Sequence, residues 1–256
     1  IKTAGLQDTN LVQNGDFSQL GSELVTNGDF ATDSDWTKLG NWTITNGKLS
    51  TSGGASLVYQ DITSDINKTY KVVFEVSDYV SGQVTVAFGG ALSNPIGQYV
   101  NANGIYTQYL TKTDTNQTFG IRPSNFIGSI DNVSVKQVDP NDEWGLGTNF
   151  NISDGKLKSI NTANAALSYQ SAFVFTIGKS YKLTFEISDY VEGNVRIIFG
   201  GFNSGNFNSN GTYSVVGVAT RIDEILIQSI GSNNTYSIDN ISVQEVQVNT
   251  PRIDFS

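Results

Sequence analysis

The side chains of this sequence that could perform chemistry are its carboxylates, tyrosines, lysines and arginines, because the 256 residues contain no Cys, no His and no Met. Thiol nucleophiles, imidazole bases, Ser-His-Asp triads and zinc sites built on His or Cys are therefore excluded. An enzyme of this composition would have to work with carboxylates, Lys, Tyr or a hard metal ion.

One segment rich in acidic and aromatic residues occurs twice. YKVVFEVSDYV at residues 70–80 returns as YKLTFEISDYV at residues 181–191, with eight of the eleven positions identical. A tyrosine face can stack on the apolar side of a sugar ring while nearby carboxylates, amides or guanidinium groups bind its hydroxyls. We therefore predict a carbohydrate-binding cleft in each copy. The candidate residues are Glu75, Asp78, Tyr79 and Tyr106 in the first copy, and Glu186, Asp189, Tyr190, Tyr213 and Arg196 in the second.

The same residues also have a purely structural interpretation, which the sequence leaves open. The tyrosines could anchor loops, and Glu75 and Glu186 could belong to a solvated outer sheet face, since burying an unpaired carboxylate is costly. The two glutamates do not predict hydrolysis, because a glycosidase needs two carboxylates roughly 5 to 10 Å apart around one bond. Glu75 and Glu186 are equivalent residues of separate copies, so we expect no enzyme.

Strands must position these residues. Tyr70, Val72, Phe74 and Val76 alternate with more polar positions, so a strand would turn these four toward one face of a sheet. Gly and Asn turns recur roughly every ten residues, and no segment shows a helical apolar period. The predicted fold class is all-β, with two tandem antiparallel β-sandwich domains of the jelly-roll type.

The duplication extends over most of the chain and predicts its domains. WTITNGKLS is matched by FNISDGKLK, NGIY by NGTY and SIDNVSV by SIDNISV, all in the same order. We therefore predict an N-terminal arm at 1–22, a first jelly roll at 23–138, a second at 139–248, and a linker into a further domain at 249–256. Because the sequence begins at Ile1 and not at Met, we expect it to be part of a longer chain.

A short lead motif occurs twice before the first body and is missing before the second. LVQNGDF at residues 11–17 is echoed by LVTNGDF at residues 24–30, whereas the second body opens at DEW. We predict that both copies of this motif are lead strands and that the second one belongs to the first body, which it adjoins. We hypothesise that the first lead motif completes the second body or a neighbouring subunit, since an uncovered sheet edge favours aggregation.

Aromatic residues that recur at equivalent places are expected to form the cores, because both copies need them for packing. These pairs are Trp36 with Trp144, Trp42 with Phe150, Tyr70 with Tyr181, and Phe88 with Phe199.

The charge balance limits the partners. The chain has 15 Lys and Arg against 24 Asp and Glu, a net charge of -9, and no basic cluster. A nucleic-acid footprint needs clustered cations, and a membrane span needs roughly 20 apolar residues in a row. We therefore expect neither a nucleic-acid partner nor membrane insertion.

Taken together, the NGDF motif, the Trp pair, the strand entry at residues 67–70 and the closing SIDNVSV strand resemble carbohydrate-binding modules of the four-and-nine group, which are galactose-binding-like jelly rolls. The doubled NGDF, the DWTK segment and the PRIDFS tail at residues 251–256 resemble modules in structural proteins of tailed bacteriophages. This resemblance implies a virion protein of the tail, neck or capsid surface. Similar modules also accompany secreted polysaccharide hydrolases.

The resemblance also implies a structural calcium site, because such jelly rolls often bind Ca2+ near the closing strand. The implied metal ligands are Asp29, Asp131 and Asp239. The alternative is an Asp-Asn turn in which the side chain satisfies local backbone N–H groups.

The resulting expectation is a non-catalytic virion segment that contacts host-surface glycans. Its other partners would be further virion proteins, with homo-oligomers in the particle. A purely architectural spacer or docking role without a sugar ligand, or accessory modules of a secreted hydrolase, are the alternatives.

Overall fold

The computed structural model describes residues 5–6, 9–93, 95–171 and 174–247. The predicted linker at 249–256, including the PRIDFS tail, lies outside the described residues. The chain divides into two compact units. One is Leu20–Val138, the first module, and the other combines parts of Ile1–Gln19 with Asp139–Ser256, the second module. No helix in the described ranges has the length and apolar character needed to span a bilayer.

Both modules consist of strands, as the alternation of apolar and polar residues predicts. The strand β1 (Gly5–Leu6) belongs to the second module. The first module contains β2 (Leu20–Glu23), β3 (Thr37–Lys38), β4 (Thr43–Thr45), β5 (Lys48–Ser52), β6 (Val58–Asp61), β7 (Thr69–Phe88), β8 (Gly104–Thr111) and β9 (Thr118–Val138), with one 3-10 turn at Gly90–Leu92. The second module continues with β10 (Phe150–Ser153), β11 (Lys156–Thr162), β12 (Leu167–Gln170), β13 (Ser180–Phe199), β14 (Phe202–Asn203), β15 (Gly211–Val218) and β16 (Ile225–Gln247).

Long bent strands build the sandwich in each module. Strand β7 would reach about 60 Å from Tyr70 to Phe88 if it were straight, at about 3.3 Å per residue. The rings of Tyr70 and Phe88 instead lie 5.2 Å apart, because the strand folds over at residues 78–82. At this bend Gly82 has a φ of 75°, and a Cβ there would fall 2.0 Å from the Asn125 carbonyl oxygen.

The bend divides each module into two layers of antiparallel strands. In the first module, the front layer contains β8, the first half of β7, the second half of β9, and β5, β4 and β2. The back layer contains the second half of β7, the first half of β9, β6 and β3. Strands β13, β15 and β16 repeat this arrangement in the second module. The fold is thus the predicted all-β antiparallel sandwich.

The core lies between the layers and follows the predicted alternation. Tyr70, Val72, Phe74 and Val76 are all buried, and the positions between them are half-buried. The four recurring aromatic pairs expected in the cores are confirmed there, with every member buried. Burying each such side chain stabilises the fold by roughly 1.5 to 3 kcal/mol.

The first lead motif packs on the second module as a turn, so the predicted lead strand is wrong for residues 11–17 and also for 24–30. Ile241 N–H donates to the carbonyl oxygen of Gly15 at 2.9 Å, and the Trp144 indole N–H donates to that of Asn14 at 3.1 Å. Phe17 is 2% exposed, with its ring centroid 5.1 Å from that of Trp144. The sequence left open whether this segment completes the second body or a neighbouring subunit. In the structure it packs on the second body of its own chain.

The second lead motif makes the same contacts in the first module. Val133 N–H donates to the Gly28 carbonyl oxygen at 2.8 Å, and the Trp36 indole N–H donates to that of Asn27 at 3.0 Å. A Cβ on Gly28 would fall 2.0 Å from the Val133 oxygen, so only glycine permits this approach. The first module is therefore inserted, in sequence, between the lead motif and the body of the second.

The backbone at the ends of this insertion is paired. Leu20 of β2 lies opposite Val138 of β9 in an antiparallel pair. Within the second module, Asp139 N–H donates to the Gln19 carbonyl oxygen at 3.0 Å. The chain therefore enters and leaves the first module at adjacent positions.

At one place in the core, the first module has two polar residues where the second module has two apolar ones. In the first module Lys112 is fully buried, and its ammonium donates to Ser64 O at 2.8 Å and to Ser64 Oγ at 2.9 Å. The equivalent backbone hydrogen bonds identify Phe175 and Ala219 as the counterparts of Ser64 and Lys112. The second module thus has the larger Phe175 in place of Ser64 and the smaller Ala219 in place of Lys112.

A second exchange lies near the bend. Gly128 of the first module makes room for Phe126, since a Cβ on Gly128 would fall 2.7 Å from that ring. The corresponding residues of the second module are Tyr236 and Asn234, both buried. The Tyr236 hydroxyl lies 2.7 Å from Ser229 Oγ, and burial raises the pKa of Tyr236 to about 12.

We predict that Phe17→Ala destabilises the second module, although Phe17 precedes the first module in sequence. The lost ring leaves a cavity beside Trp144 and should cost about 3–5 kcal/mol. Hydrogen exchange should show lower protection within 139–247, whereas the matched variant Phe30→Ala should lower it within 20–138. Loss of protection in 20–138 for Phe17→Ala would contradict the observed packing.

We also predict strong coupling between Ser64 and Lys112. Ser64→Phe alone overfills the site and Lys112→Ala alone empties it, each costing about 2 kcal/mol or more. The double variant reproduces the residues of the second module, so its loss of stability should be smaller than the sum by at least about 1 kcal/mol. Urea unfolding measures this cycle, and additive losses would refute the exchange.

The same lysine should make stability depend on alkaline pH. Burial lowers the pKa of Lys112 below its usual 10.5, so the unfolded chain binds more protons in the interval between the lowered value and 10.5. The free energy of unfolding should therefore rise with pH across this interval. The Ser64→Phe/Lys112→Ala variant should lack that increment, and identical pH profiles would contradict it.

Candidate functional site

The outer face of each front layer carries a group of polar side chains, which we call the front-face array. It consists of Lys48, Glu75, Asp78, Asp131 and Asn132 in the first module and of Lys156, Glu186, Asp189, Asp239 and Asn240 in the second. Glu75 lies opposite Asp131 on neighbouring strands, and Glu186 lies opposite Asp239. Three equivalent strands therefore build each array: β5, β7 and β9 in the first module, and β11, β13 and β16 in the second.

An ion pair forms one end of each array. The Lys48 ammonium lies 2.8 Å from Asp78 Oδ2, and that of Lys156 lies 3.0 Å from Asp189 Oδ2. The side chains of Asp78 and Asp189 are 62% and 61% exposed. Such exposed pairs contribute little to stability. They leave charged donors and acceptors in contact with solvent, where a ligand could reach them.

A β-bulge in the closing strand forms the other end. Asn132 has a φ of 51° and its side-chain amide donates to Glu75 Oε2 at 2.9 Å. Asn240, with a φ of 53°, donates likewise to Glu186 at 3.3 Å. The extra residue of the bulge directs the next N–H, that of Val133, to the lead motif. The bulge thus joins the array to the packing of the lead motif.

Hydrogen bonds, burial and neighbouring charges shift the pKa values of the charged groups in each array. The hydrogen bond from Lys48 lowers the pKa of Asp78, and the same hydrogen bond raises the pKa of Lys48. Burial raises the pKa of Asp131, and the nearby charges of Glu75 and Asp29 raise it further. In the second module burial, Glu186 and Asp16 raise the pKa of Asp239 in the same way.

The predicted calcium ligands occupy this region without forming an evident metal cage. Asp131 Oδ1 accepts the N–H of Asn132 at 2.7 Å, and Asp239 Oδ1 accepts that of Asn240 at 2.6 Å, which is the turn geometry named as the alternative. Within the described ranges, no three or more acidic side chains gather closely enough to bind a metal. In the second module Asp16 takes the place that Asp29 has in the first.

The tyrosines of the Ser-Asp-Tyr turns anchor the bends. Tyr79 is half-buried, its hydroxyl donates to Gly82 O at 3.0 Å, and its ring lies 6.2 Å from that of Phe126. Tyr190 donates in the same way to Gly193 O at 2.9 Å. Neither ring is the free, fully exposed platform expected from the sequence, because each hydroxyl ties its own bend together.

Tyr106 and Tyr213 belong to the edge strands β8 and β15. Their rings stack on Phe74 and Phe185 at centroid distances of 5.5 and 5.4 Å. The hydroxyl of Tyr106 donates to Ala102 O at 2.8 Å. These side chains close the lateral edges of the cores and do not join the front-face arrays.

Arg196 lies on a third surface. It belongs to the second half of β13, in the back layer, and its Nε donates to Asn206 Oδ1 at 3.0 Å. The structure therefore divides the predicted sugar-binding set among the front face, the bends, the lateral edge and the back layer. It unites only the glutamates and aspartates of that set.

Sequence reasoning missed the lysines and asparagines of the arrays. Lys48 stands in GKLS and Lys156 in GKLK, and the two asparagines follow the aspartate of SIDN. These motifs were visible as repeats, but Lys48 is 30 residues from its partner Asp78. Only the pairing of β5 and β7 with β9 brings the two side chains together.

Comparison with known proteins adds a fold likeness only. No family model and no curated protein matches the chain. Among solved structures, the CBM22-1-CBM22-2 tandem domain of Xyn10C from Paenibacillus barcinonensis is 9% identical, with a TM-score of 0.35, covering 93% of this chain and 100% of that one. Allantoicase from Saccharomyces cerevisiae is 7% identical, with a TM-score of 0.29 and coverages of 93% and 92%.

These values are too low to support an argument about function. The strand pairings described above show that this chain is all-β and has two modules. A tandem of carbohydrate-binding modules is among the solved structures that it resembles. The assignment of the sandwich fold rests on the strand pairing itself.

The bend tyrosines yield a test that separates anchoring from display. Tyr79→Phe removes one hydrogen bond and should lower the free energy of unfolding by about 1 kcal/mol. Tyr79→Ala also removes the ring from Phe126 and should cost about 3 kcal/mol or more. Chemical denaturation measures both, and Tyr99→Ala, at a more exposed tyrosine, is the control. An unchanged stability for Tyr79→Ala would show that this ring is a surface platform after all.

Proposed function

We propose that the two modules are non-catalytic carbohydrate-binding modules of a bacteriophage virion protein and that their front-face arrays contact host-surface glycans. The observation that carries this proposal is the recurrence of one exposed set of ammonium, carboxylate and amide groups in both modules. Such groups bind sugar hydroxyls through hydrogen bonds that are stronger where one partner is charged. Because the exposed ion pairs add little stability, packing does not explain their recurrence.

The absence of catalysis is part of the proposal. Asp131 lies opposite Glu75 and supplies a second carboxylate, although the sequence indicated Asp131 only as a calcium ligand. Both belong to adjacent strands of one outer sheet face, whereas a glycosidase holds its two carboxylates on either side of the scissile bond. Glu75 is also engaged by the Asn132 amide. A binding role therefore fits this pair better than acid–base chemistry.

The virion context rests on the motif resemblance of the sequence. In a particle with several copies of the chain, two weak sites per chain would gain strength by multivalency without new contacts. Oligomers with other virion proteins belong to the same proposal. Calcium at Asp131 and Asp29 of the first module, and at Asp239 of the second, is proposed as an addition. Ca2+ should then raise the melting temperature and a chelator should lower it, whereas equal melting temperatures would refute the site.

Substitution of the array aspartates tests the binding role. Asp78→Asn/Asp189→Asn removes both ion pairs but keeps a residue type that tolerates their positive φ values of 53° and 52°. Loss of a charged hydrogen bond should weaken glycan retention about tenfold or more on a glycan array. Asp33→Asn, which removes the exposed pair with Lys38, is the control. Equal retention by both variants would refute the array, and no retention by the original chain would refute glycan binding.

A purely architectural role is the second candidate, and one observation favours it. The second module exposes Val174, Ile177, Val218 and Ile222 at 80, 61, 47 and 59%. Val218 ends β15, and backbone hydrogen bonds join the segment that follows it, 219–222, to 175–179. We call these four residues the apolar end patch. Apolar patches of this kind suit docking to a neighbouring virion subunit.

Threonine stands at two of the corresponding positions of the first module, so Val174→Thr/Val218→Thr is a mild test. An architectural role predicts that this variant enters particles less efficiently while glycan retention stays unchanged. Normal incorporation would remove the support for docking through this patch.

A further inference from the structure

A buried serine, a buried lysine and a glutamine meet in the first module. Ser64 lies between β6 and β7, and Lys112 and Gln117 lie between β8 and β9. Ser64 is 3% exposed and Lys112 is 0% exposed. We call these three residues the Ser-Lys-Gln cluster. None of them belongs to the front-face array, so the proposed glycan contact does not use them.

The lysine lies against the serine hydroxyl. Lys112 Nζ is 2.9 Å from Ser64 Oγ and 2.8 Å from the Ser64 carbonyl oxygen. Burial lowers the pKa of Lys112, although the charges of Asp114 and Asp65 oppose this shift. A neutral amine can take the proton of a hydroxyl in contact with it, and the hydroxyl oxygen then becomes a nucleophile. Serine nucleophiles activated by lysine are established variants of the Ser-His-Asp triad.

The same serine holds the Gln117 carboxamide. The Ser64 N–H donates to Gln117 Oε1 at 2.6 Å, and Ser64 Oγ donates to the same oxygen at 3.3 Å. Gln117 Nε2 donates to the Ser64 carbonyl oxygen at 3.0 Å. A backbone N–H in this place polarises the amide carbonyl and stabilises the negative charge that forms on its oxygen when a nucleophile adds to the carbon. The nucleophile, its base and the polarised carbonyl are therefore all in contact with Ser64.

Two other glutamines bind a backbone segment in the same two-point manner, and Lys112 takes part in neither contact. Gln60 accepts from the Thr26 N–H at 3.0 Å and donates to the Thr26 carbonyl oxygen at 3.1 Å. Gln170 binds the backbone of Gln13 likewise, with both distances at 2.9 Å. Holding a loop with a glutamine side chain therefore does not require the buried lysine.

Packing does not require the buried lysine either. The second module has Phe175 and Ala219 in place of Ser64 and Lys112, so two apolar residues can fill this part of the core. Burying an amine instead removes it from water at a cost in free energy. An arrangement that is costly and replaceable, with a nucleophile beside a polarised amide, points to a chemical role.

We propose that Ser64 and Gln117 form an ester within the chain, with Lys112 as the base. Ser64 Oγ forms a bond to Gln117 Cδ, and the bond between Cδ and Nε2 breaks. The hydroxyl proton passes to Lys112 Nζ and then to Nε2, which leaves as ammonia, so Lys112 ends in the state in which it began. No oxidant or reductant takes part. The reaction occurs once per chain and does not make the protein an enzyme.

The ester joins two segments whose linked residues are 53 positions apart, with β7 and β8 between them. A covalent link of this span limits the conformations of the unfolded chain, as a disulfide does. The chain contains no Cys and therefore no disulfide. The ester gives the first module a covalent constraint that the second module lacks.

Mass spectrometry of the full 256-residue chain tests this proposal. The intact mass should be lower than the sequence mass by one ammonia. After denaturation and tryptic digestion, fragments 49–68 and 113–136 should form one linked species, and its fragmentation should place the link at Ser64 and Gln117. Hydroxylamine should separate the two fragments, because it cleaves esters far more readily than amides.

Variants identify the role of each group. Ser64→Ala, which removes only the hydroxyl, and Lys112→Met, which removes the base, should both have the full sequence mass. Ser64→Thr keeps a hydroxyl and should retain the ammonia loss. Gln60→Glu, at the glutamine that binds a backbone without Lys112, is the matched control and should retain the link. Thermal melts verify folding, and Ser64→Ala decides the result if Lys112→Met does not fold.

Three outcomes would overturn the proposal. The first is an original chain of full sequence mass, or an ammonia loss that maps to any other residue. The second is a loss that persists in Ser64→Ala with a hydroxylamine-resistant link to Lys112, which would make the lysine the nucleophile. The third is conversion of Gln117 to Glu without a link. None of these results bears on the front-face arrays, whose test is glycan retention.

Discussion

The docking of an NGDF turn against a bulged closing strand is the constraint on which each module depends. In both modules a glycine carbonyl oxygen of the turn accepts the N–H that follows the bulge asparagine. A side chain on Gly15 or Gly28 would collide with the backbone of the closing strand, and Phe17 or Phe30 seals the contact against a tryptophan. Because the bulge also turns its Asp-Asn pair outward, the same local irregularity places polar groups on the outer face. Stability and surface chemistry therefore share one backbone feature.

The repetition and the period-two pattern were enough to predict the strands, the cores and the fold class. The period-two pattern indicates which face of the sheet each side chain occupies, because successive residues of a strand point to opposite faces. Residues that meet only through pairing were beyond such reasoning. Lys48 and Asp78 meet because β5 and β7 both flank β9. Tyr79 looked like a displayed ring, since sequence cannot reveal that its hydroxyl reaches back to Gly82.

The two modules share one strand arrangement but differ in some of the side chains that fill their cores. Ser64 with Lys112 corresponds to Phe175 with Ala219, and Phe126 with Gly128 corresponds to Asn234 with Tyr236. In each exchange one side chain shrinks as another grows, as close packing requires. A single core substitution would have left a void or an overlap, so these changes had to be paired.

The insertion of one module within the other has a consequence for the order of folding. Residues 10–19 leave the ribosome first but have nothing to pack against until 139–247 has been synthesised, so they must wait in an unpaired state. Leu20 lies opposite Val138 in the folded first module, and this pairing holds the waiting segment next to the nascent second body. Closing a loop as long as the whole inserted module would be slow for an unfolded chain. Once that module has folded it acts as a short tether, so its prior folding shortens the loop that the second module must close.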